Sequence, residues 1–322
     1  MEVYLFNGNG KREITNIITS LTISGEYRSC CRSLSFGIIK SETDLNTHVV
    51  AINLGNNIKV VEGGKVIFHG VVWNRSKVSD ANEINLTCKD YGIYLLKNRG
   101  SYKFSNIKPE DVVKKVCADF GIKTGAIAST GKAISRKFLG VTLYDIIKTC
   151  YTLANDKKYM VVFEGDKLNV IEKGVIGCDA LESGINLLTS NVSESLENMV
   201  NRVNVYNKDD KLLKTFEDEN NIKLYGVMSE YIKVSDSKED YSLKATKTLS
   251  GIERKISVSN FGDAQYTTGK FVEVKEPYNG LTGRFYIDAD DHNWKNGIYT
   301  NKLTLNFENL MDESESGSEV KK

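Results

Sequence analysis

The spacing of the apolar residues changes twice along this chain of 322 residues. Up to about residue 97, and again from about residue 185, apolar and polar residues alternate in short runs separated by Gly, Asn and Asp, which is typical of strands joined by tight turns. Between these segments the apolar residues recur at helical spacing. The pattern predicts an α+β fold rich in β structure, divided at 1–97, 98–184 and 185–313.

The first segment contains one clear hairpin, formed by Ile58–Val61 and Lys65–Trp73. The turn between them includes Gly63–Gly64, and glycines can adopt the positive φ angles that tight hairpin turns require. Further strands at Leu34–Ile39 and Ile84–Cys88 complete the pattern of a small barrel or sandwich.

The middle segment predicts two helices. Pro109 suits the first turn of a helix, where a missing N–H costs little, and Gly121 ends that helix. A second helix begins at Thr142, with Asp145 three residues later in a short form of the capping box. A hairpin follows, with strands at Met160–Phe163 and Leu168–Ile171.

The last segment is again rich in strands. A helix is predicted between Lys238 and Leu249, and a final strand runs through Tyr299–Phe307. Residues 314–322 are polar and carry no apolar period, so we expect them to be disordered.

Composition excludes several classes of protein. With 43 basic and 42 acidic residues the formal charge is +1, so the chain lacks the basic excess expected of a nucleic-acid-binding protein. No run approaches the ~18 apolar residues of a membrane span, and the first residues do not form a secretory leader. We therefore expect a cytosolic protein without a membrane segment, whose six cysteines are reduced and mostly buried.

Two short motifs resemble ligand-binding loops. Asn7–Lys11 contains a Gly-Lys pair, but a phosphate-binding loop needs a further Gly five positions earlier, so a hairpin turn is the better interpretation. Asp288, Asp290, Asp291 and His292 could hold a cation, yet the Gly and Glu of a calcium loop are missing. We interpret this second motif as a solvated turn between two strands.

The sequence contains no motif for catalysis. The three histidines, His48, His69 and His292, are far apart, and His69 is expected to be a structural residue within a strand. No zinc-binding Cys pair and no nucleophilic serine motif occur. A carboxylate pair for glycoside cleavage stays open, since its members can come from anywhere in the chain. We therefore assign no catalytic, cofactor-binding or metal-binding residues.

Short segments in a characteristic order run from about residue 1 to residue 313. They are Arg32–Gly37, Phe68–Trp73, Asp90–Asn98, Tyr144–Ile147, Lys157–Tyr159, Leu196–Val203, Gly280–Ile287, His292–Gly297 and Leu303–Asp312. Taken together they resemble the Gram-positive family of phage tail proteins related to the defective prophage PBSX. The identification rests on their order, because each segment alone is an ordinary strand or turn.

The resemblance implies a baseplate hub of a contractile phage tail or of a phage-tail-like bacteriocin. Such a hub has two tube-protein-like β-barrel domains, here 1–97 and 185–313, around the α+β domain 98–184. Three subunits form a ring of six barrels, which joins the sixfold tail tube to the threefold central spike. The end of the chain soon after Asp312 favours the compact contractile type.

The resemblance also implies partners, location and the kind of protein. The partners are two further copies in a homotrimer, the tail tube protein, the central spike protein, and other baseplate and tape-measure proteins. Assembly in the host cytoplasm precedes incorporation into the tail baseplate. The family carries no motif of catalytic residues, so it implies a virion structural protein that is not an enzyme and needs no cofactor.

Two other classes of function remain as alternatives. A tail-associated cell-wall hydrolase would clear purified peptidoglycan, and a receptor-binding or carbohydrate-binding module would attach directly to host cells. Neither alternative is favoured by a motif in the sequence.

Overall fold

The fold is rich in β structure, as the spacing of apolar residues predicts. The computed structural model describes residues 1–8, 10–39, 50–78, 83–234 and 241–320. Within these ranges it has 21 strands and five α-helices, and none of the helices is long and apolar enough to cross a membrane.

The first segment is built almost entirely of strands. They are β1 (Glu2–Asn7), β2 (Gly10–Glu13), β3 (Ile18–Glu26), β4 (Ser33–Ile39), β5 (Asn57–Glu62), β6 (Lys65–Lys77) and β7 (Glu83–Asp90), with a 3-10 turn at Thr15–Ile17 and the short helix α1 (Ile93–Lys97). The hairpin of β5 and β6 confirms the sequence prediction, and Gly63 and Gly64 in its turn have φ angles of 53° and 76°.

The middle segment combines strands with the two predicted helices. Its elements are β8 (Arg99–Ile107), α2 (Pro109–Asp119), β9 (Lys123–Ile127), β10 (Ile134–Thr142), α3 (Leu143–Ala154), β11 (Tyr159–Glu164), β12 (Lys167–Glu172) and β13 (Gly177–Glu182). Pro109 is the first residue of α2, and the helix gives way to Gly121, whose φ is 65°. Both ends of α2 are therefore where the sequence predicts them.

The remaining elements follow β13. They are β14 (Leu187–Ser195), β15 (Arg202–Tyr206), β16 (Leu212–Glu217), α4 (Glu219–Tyr225), β17 (Ser229–Lys233), α5 (Tyr241–Thr248), β18 (Glu253–Phe261), β19 (Phe271–Glu276), β20 (Leu281–Lys295) and β21 (Ile298–Asn306). Helix α5 lies within the predicted range Lys238–Leu249, of which residues 238–240 are outside the described ranges.

Strands from the first and last segments share one sheet of 13 strands. Its main path runs β14-β18-β21-β20-β3-β4-β7-β6-β5-β1-β2, and β19 joins β13 to β20. The resemblance implies two β-barrels, whereas these pairings leave the sheet open between β14 and β2 in the described part of the chain. The pairing of β3 with β20 joins strands of both segments into this one sheet, and no local pattern in the sequence identifies that partner.

Two compact units can be distinguished, and each has its own core. One consists of residues 1–190 and 257–322, and the other of residues 191–256. The smaller unit has a three-stranded sheet of β16, β15 and β17, and its core is formed by Val203, Val205, Ile232, Val234 and Ala245.

Two clusters of buried apolar side chains in the larger unit correspond to its N-terminal and middle segments, and β19, β20 and β21 bury further apolar side chains such as Val272, Phe285 and Leu303. One cluster lies among the first seven strands and includes Leu5, Leu34 and Leu86. The other surrounds α2 and α3, where Val113 and Ile147 are fully buried. The division matches the change from strand to helical spacing in the sequence, since each kind of element buries its own apolar face.

Residues 314–320 contact strand β10, although the sequence predicts disorder there. Ser318 and Lys137 exchange two backbone hydrogen bonds of 2.9 Å, and Arg136 donates to the carbonyls of Glu315, Ser316 and Gly317. Backbone pairing does not depend on apolar side chains. This contact with β10 therefore leaves no apolar period in the sequence from which it could be predicted.

The predicted cap of α3 leads to a test of stability. The Thr142 hydroxyl accepts from the Asp145 N–H at 3.1 Å and donates to the Asp145 carboxylate at 2.7 Å. Thr142→Ala should lower the free energy of unfolding by about 1 kcal/mol, measured by urea denaturation, because an N–H of the first turn loses its acceptor. Thr142→Ser keeps the hydroxyl and should unfold like the parent. Equal losses in both variants would contradict the capping role.

Candidate functional site

The four residues of the second sequence motif lie within strand β20, not in a solvated turn. Asp288, Asp290 and His292 occupy alternate positions and are buried, with 7%, 1% and 3% of their surfaces exposed. The prediction of a turn was wrong because β20 is paired on both sides, with β3 and β21. Pairing on both sides holds a run of acidic residues in a strand despite their low preference for one.

Asp290 forms a buried ion pair with Arg32. Arg32 donates to both carboxylate oxygens, with Nη1 3.0 Å from Oδ1. The N–H and hydroxyl of Thr268 donate to the same Oδ1 at 2.6 and 2.5 Å. Burial alone would raise the pKa of Asp290, but the attraction of Arg32 and the hydrogen bonds outweigh it and hold this pKa well below its usual range. The carboxylate therefore stays charged.

Gly25 provides the space for this ion pair. It is the residue of β3 directly opposite Asp290, and a Cβ atom at this position would lie 2.5 Å from Nη1 of Arg32. A larger residue would displace the guanidinium, so the pairing of β3 with β20 and the ion pair depend on each other.

The hydrogen bonds around His292 determine its tautomer. Asn301 Oδ1 accepts from the backbone N–H of Asp263 at 2.7 Å, so the amide nitrogen of Asn301 faces His292 Nδ1, 2.9 Å away. Nδ1 is therefore an acceptor, and the proton lies on Nε2, 3.1 Å from Asp290 Oδ2.

Asp288 forms a second ion pair, with Lys173. The distance from Nζ to Oδ1 is 2.7 Å, and the Lys173 side chain is 1% exposed. Asn306 donates to the other oxygen at 3.0 Å, and the ring of Tyr27 lies 4.6 Å from the ammonium group. Burial lowers the pKa of Lys173, while Asp288 acts in the opposite direction.

These carboxylates are engaged in structural contacts and are not arranged for catalysis. A general acid needs a raised pKa and a proton that faces the substrate, whereas Asp290 is held ionised by Arg32. Within the described ranges, no three His, Cys, Asp or Glu side chains are grouped so that they could hold a metal ion. The motif therefore joins β20 to two other parts of the chain through Arg32 and Lys173.

The carboxyl group of Asp90 has a raised pKa, about 6, and burial is the cause. Its two oxygens accept backbone N–H groups, from Arg32 at 3.0 Å and from Gly92 at 2.8 Å. The contact with Gly92 holds the turn that follows β7, and the contact with Arg32 joins the end of β7 to the residue before β4. Together they are a sufficient structural reason for a buried carboxyl group at this position.

The other residues considered from sequence have structural surroundings. His69 lies in β6, as predicted, with Nε2 3.4 Å from the Tyr91 hydroxyl. Asn7 pairs with Gly10 across the turn between β1 and β2, so the Gly-Lys motif is a hairpin, as interpreted. His48 lies outside the described residues.

Sequence reasoning missed Arg32, Lys173 and Thr268. Each lies more than 20 residues from its carboxylate partner in the chain, and a single sequence contains no signal of such a pairing. Arg32 does belong to one of the segments that carry the family resemblance, but that resemblance assigns it no role.

A cleft with a volume of about 840 Å³ opens beside the network in the larger unit. His292 and Tyr299 line one part of it, and residues of β6 and β11 line another. The buried lining is largely apolar and includes Phe68, Met160 and Val161.

The architecture is that of prophage tail proteins. A 43 kDa tail protein of prophage MuSo2 from Shewanella oneidensis matches with a TM-score of 0.72 at 13% identity, over 95% of this chain and 97% of that one. The E. coli c3393 protein matches with a TM-score of 0.54 at 9% identity, over 94% of this chain and 76% of that one. That protein is a component of the type VI secretion system with structural similarity to the T4 tail proteins gp27 and gp5.

The chain belongs to the YQBQ-like family, whose model matches residues 21–306. The PBSX phage-like element protein XkdQ of Bacillus subtilis is 24% identical over 321 residues, covering 93% of this chain and 95% of its own. The family membership confirms the resemblance inferred from the ordered segments.

The buried ion pair can be tested by removing one charge. Asp290→Asn should lower the free energy of unfolding by about 3–5 kcal/mol in urea denaturation, because Arg32 keeps its charge without a charged partner. Glu273→Gln is the matched control, because Glu273 pairs with Arg284 at 3.1 Å on the exposed face of the same sheet. Glu273→Gln should lower the free energy of unfolding by at most about 1 kcal/mol. Similar losses in both variants would contradict a special role for the buried pair.

Asp290 and Asp90 should affect the pH dependence of stability in opposite ways. The pKa of Asp290 is lower in the folded protein, so its contribution is present above the unfolded value of 3.8 and is lost as the pH falls below it. The pKa of Asp90 is raised from 3.8 to about 6, so its contribution is present below 3.8 and is lost as the pH rises through 6.

Urea denaturation of the variants across this pH range tests both signs. The difference in unfolding free energy between the parent and Asp290→Asn should shrink below pH 3.8. Asp90→Asn should instead remove a decline in stability between pH 3.8 and 6. Parallel pH profiles for the parent and either variant would contradict the corresponding shift.

Proposed function

We propose that this protein is the baseplate hub of a contractile phage tail or of a tail-like particle. Three copies form a ring that continues the sixfold tail tube on one side and seats the threefold central spike on the other. The role is structural, and the partners are the tube protein, the spike protein, and other baseplate and tape-measure proteins. Assembly takes place in the host cytoplasm before the hub enters the baseplate.

The observation that carries this proposal is the single sheet that runs through both β-rich segments. A ring with sixfold character made from three chains needs two similar β units in each chain, and we assign these units to 1–97 and 185–313, around the α+β segment 98–184. The pairing of β3 with β20 holds strands of both segments side by side. Head-to-tail contacts between copies would then close the ring.

The comparisons support the same proposal. The relatives include a prophage tail protein and a protein described as similar to gp27 and gp5 of the T4 tail. A structural role also agrees with the engagement of Asp288 and Asp290 in ion pairs, which leaves neither free for hydrolysis.

Counting copies in purified particles tests the hub directly. Quantitative mass spectrometry should find about three copies of this chain per particle, because a threefold seat admits one trimer. The spike protein of the same particle serves as the internal standard and should be present in equal number. Tube and sheath subunits should exceed both many-fold.

Other copy numbers would contradict the proposal. A number equal to that of the tube protein would make the chain a tube subunit. Its absence from intact particles would remove the assembly role, and clearing of peptidoglycan by the purified chain would then favour the cell-wall hydrolase.

A further inference from the structure

We propose that the cleft between β6 and β11 binds an extended, basic segment of a partner protein, which adds a strand to the edge of β11. The cleft has a volume of about 840 Å³ and lies within the larger unit. Unpaired backbone groups, an apolar lining and the charge of the cleft point to this ligand.

Strand β11 has an open edge. In the described part of the chain it pairs only with β12, at the end of the three-stranded sheet β11-β12-β9. The carbonyl of Lys158 faces β12 and accepts from the backbone N–H of Lys173. The N–H of Tyr159 points to the opposite side and donates to Met311 Sδ at 3.4 Å. Because this direction alternates along a strand, the N–H and C=O groups of Val161 and Phe163 also point away from β12. They can accept a further strand.

Strand β6 borders the same cleft with a second incomplete edge. Its residues 65–69 pair with β5, but pairing with β7 begins only at Gly70. Lys65, Val66 and Ile67 line the cleft, and Val66 is 45% exposed. Two strand edges without partners therefore line one cavity, and exposed edges of this kind are the usual sites at which extended peptides bind.

The lining separates apolar from charged side chains. Phe68, Met160 and Val161 are buried, whereas the carboxylates Glu26 and Glu164 are exposed. A strand presents alternate side chains to opposite faces, so a peptide with alternating apolar and basic residues satisfies both parts of the lining at once.

The charge of the lining selects a basic peptide. Six carboxylates line the cleft, against the cations Arg32, Lys65 and Lys270. Glu62 and Glu172 are in ion pairs with the Met1 amino group and Lys157, and the buried Asp90 accepts two backbone N–H groups. Arg32 is already bound to Asp290, and Lys270 donates to the carbonyl of Gln265 at 2.9 Å. Lys65 and Lys270 keep their charge, so the three carboxylates unpaired within the described ranges, Glu26, Glu164 and Asp263, leave the lining with a small excess of negative charge, which favours a basic ligand.

The test uses a fluorescein-labelled peptide of six residues, alternating Lys and Val, with blocked ends. Fluorescence anisotropy with the full-length protein should give a dissociation constant about tenfold or more below that of the matched Glu-Val peptide. Two further peptides carry N-methyl groups, either on the Lys amides or on the Val amides. Only one set of amides can face β11, so one methylated peptide should lose binding about tenfold or more while the other keeps it.

Protein variants locate the binding. The double variant Glu26→Lys and Glu164→Lys should weaken binding of the Lys-Val peptide about tenfold or more. The control Glu230→Lys makes the same change of charge at one site outside the cleft. It should change the dissociation constant less than about twofold. Equal binding of the Lys-Val and Glu-Val peptides, equal effects of the two methylation patterns, or no effect of the double variant would each overturn the proposal.

Discussion

The pairing of β3 with β20 is the contact on which the rest of the large sheet depends, and the Arg32–Asp290 ion pair lies directly on it. Without that pairing the strands of the first and last segments would form separate sheets. Breaking a buried ion pair is costly, although an intact one often contributes little net stability compared with apolar residues. The contribution of the Arg32–Asp290 ion pair is therefore best understood as specificity for one pairing register of β3 and β20.

Specificity follows from the geometry of the two strands. A shift of one residue would turn Asp290 to the opposite face of the sheet, away from Arg32 and Thr268. It would also replace Gly25, the residue that leaves room for the guanidinium. A shift of two residues would keep the apolar side chains on the buried face, but it would still separate Asp290 from Arg32 and from Gly25. The buried charges thus select one register for strands that are far apart in the chain.

The sequence predicted local features well and distant contacts poorly. Both ends of α2 and the start of α3 follow from the sequence, because Pro109, Gly121 and Thr142 act on the backbone beside them. The hairpin of β5 and β6 followed from its two glycines for the same reason. The acidic run in β20 was assigned to a turn because its strand character comes from two pairing partners, neither of which is adjacent in sequence. The partners of its carboxylates, Arg32 and Lys173, were missed for the same physical reason.

The pairing of β3 with β20 also affects synthesis of the chain. Glu26 lies opposite Ala289, so the ribosome must add more than 260 residues after β3 before its partner strand exists. At ordinary rates of translation this interval lasts roughly 13 to 50 seconds. During that time β4 can pair with one side of β3, while the other side waits with open backbone groups. The nascent chain is thus exposed to aggregation at this edge, and chaperones would have their greatest effect in this interval.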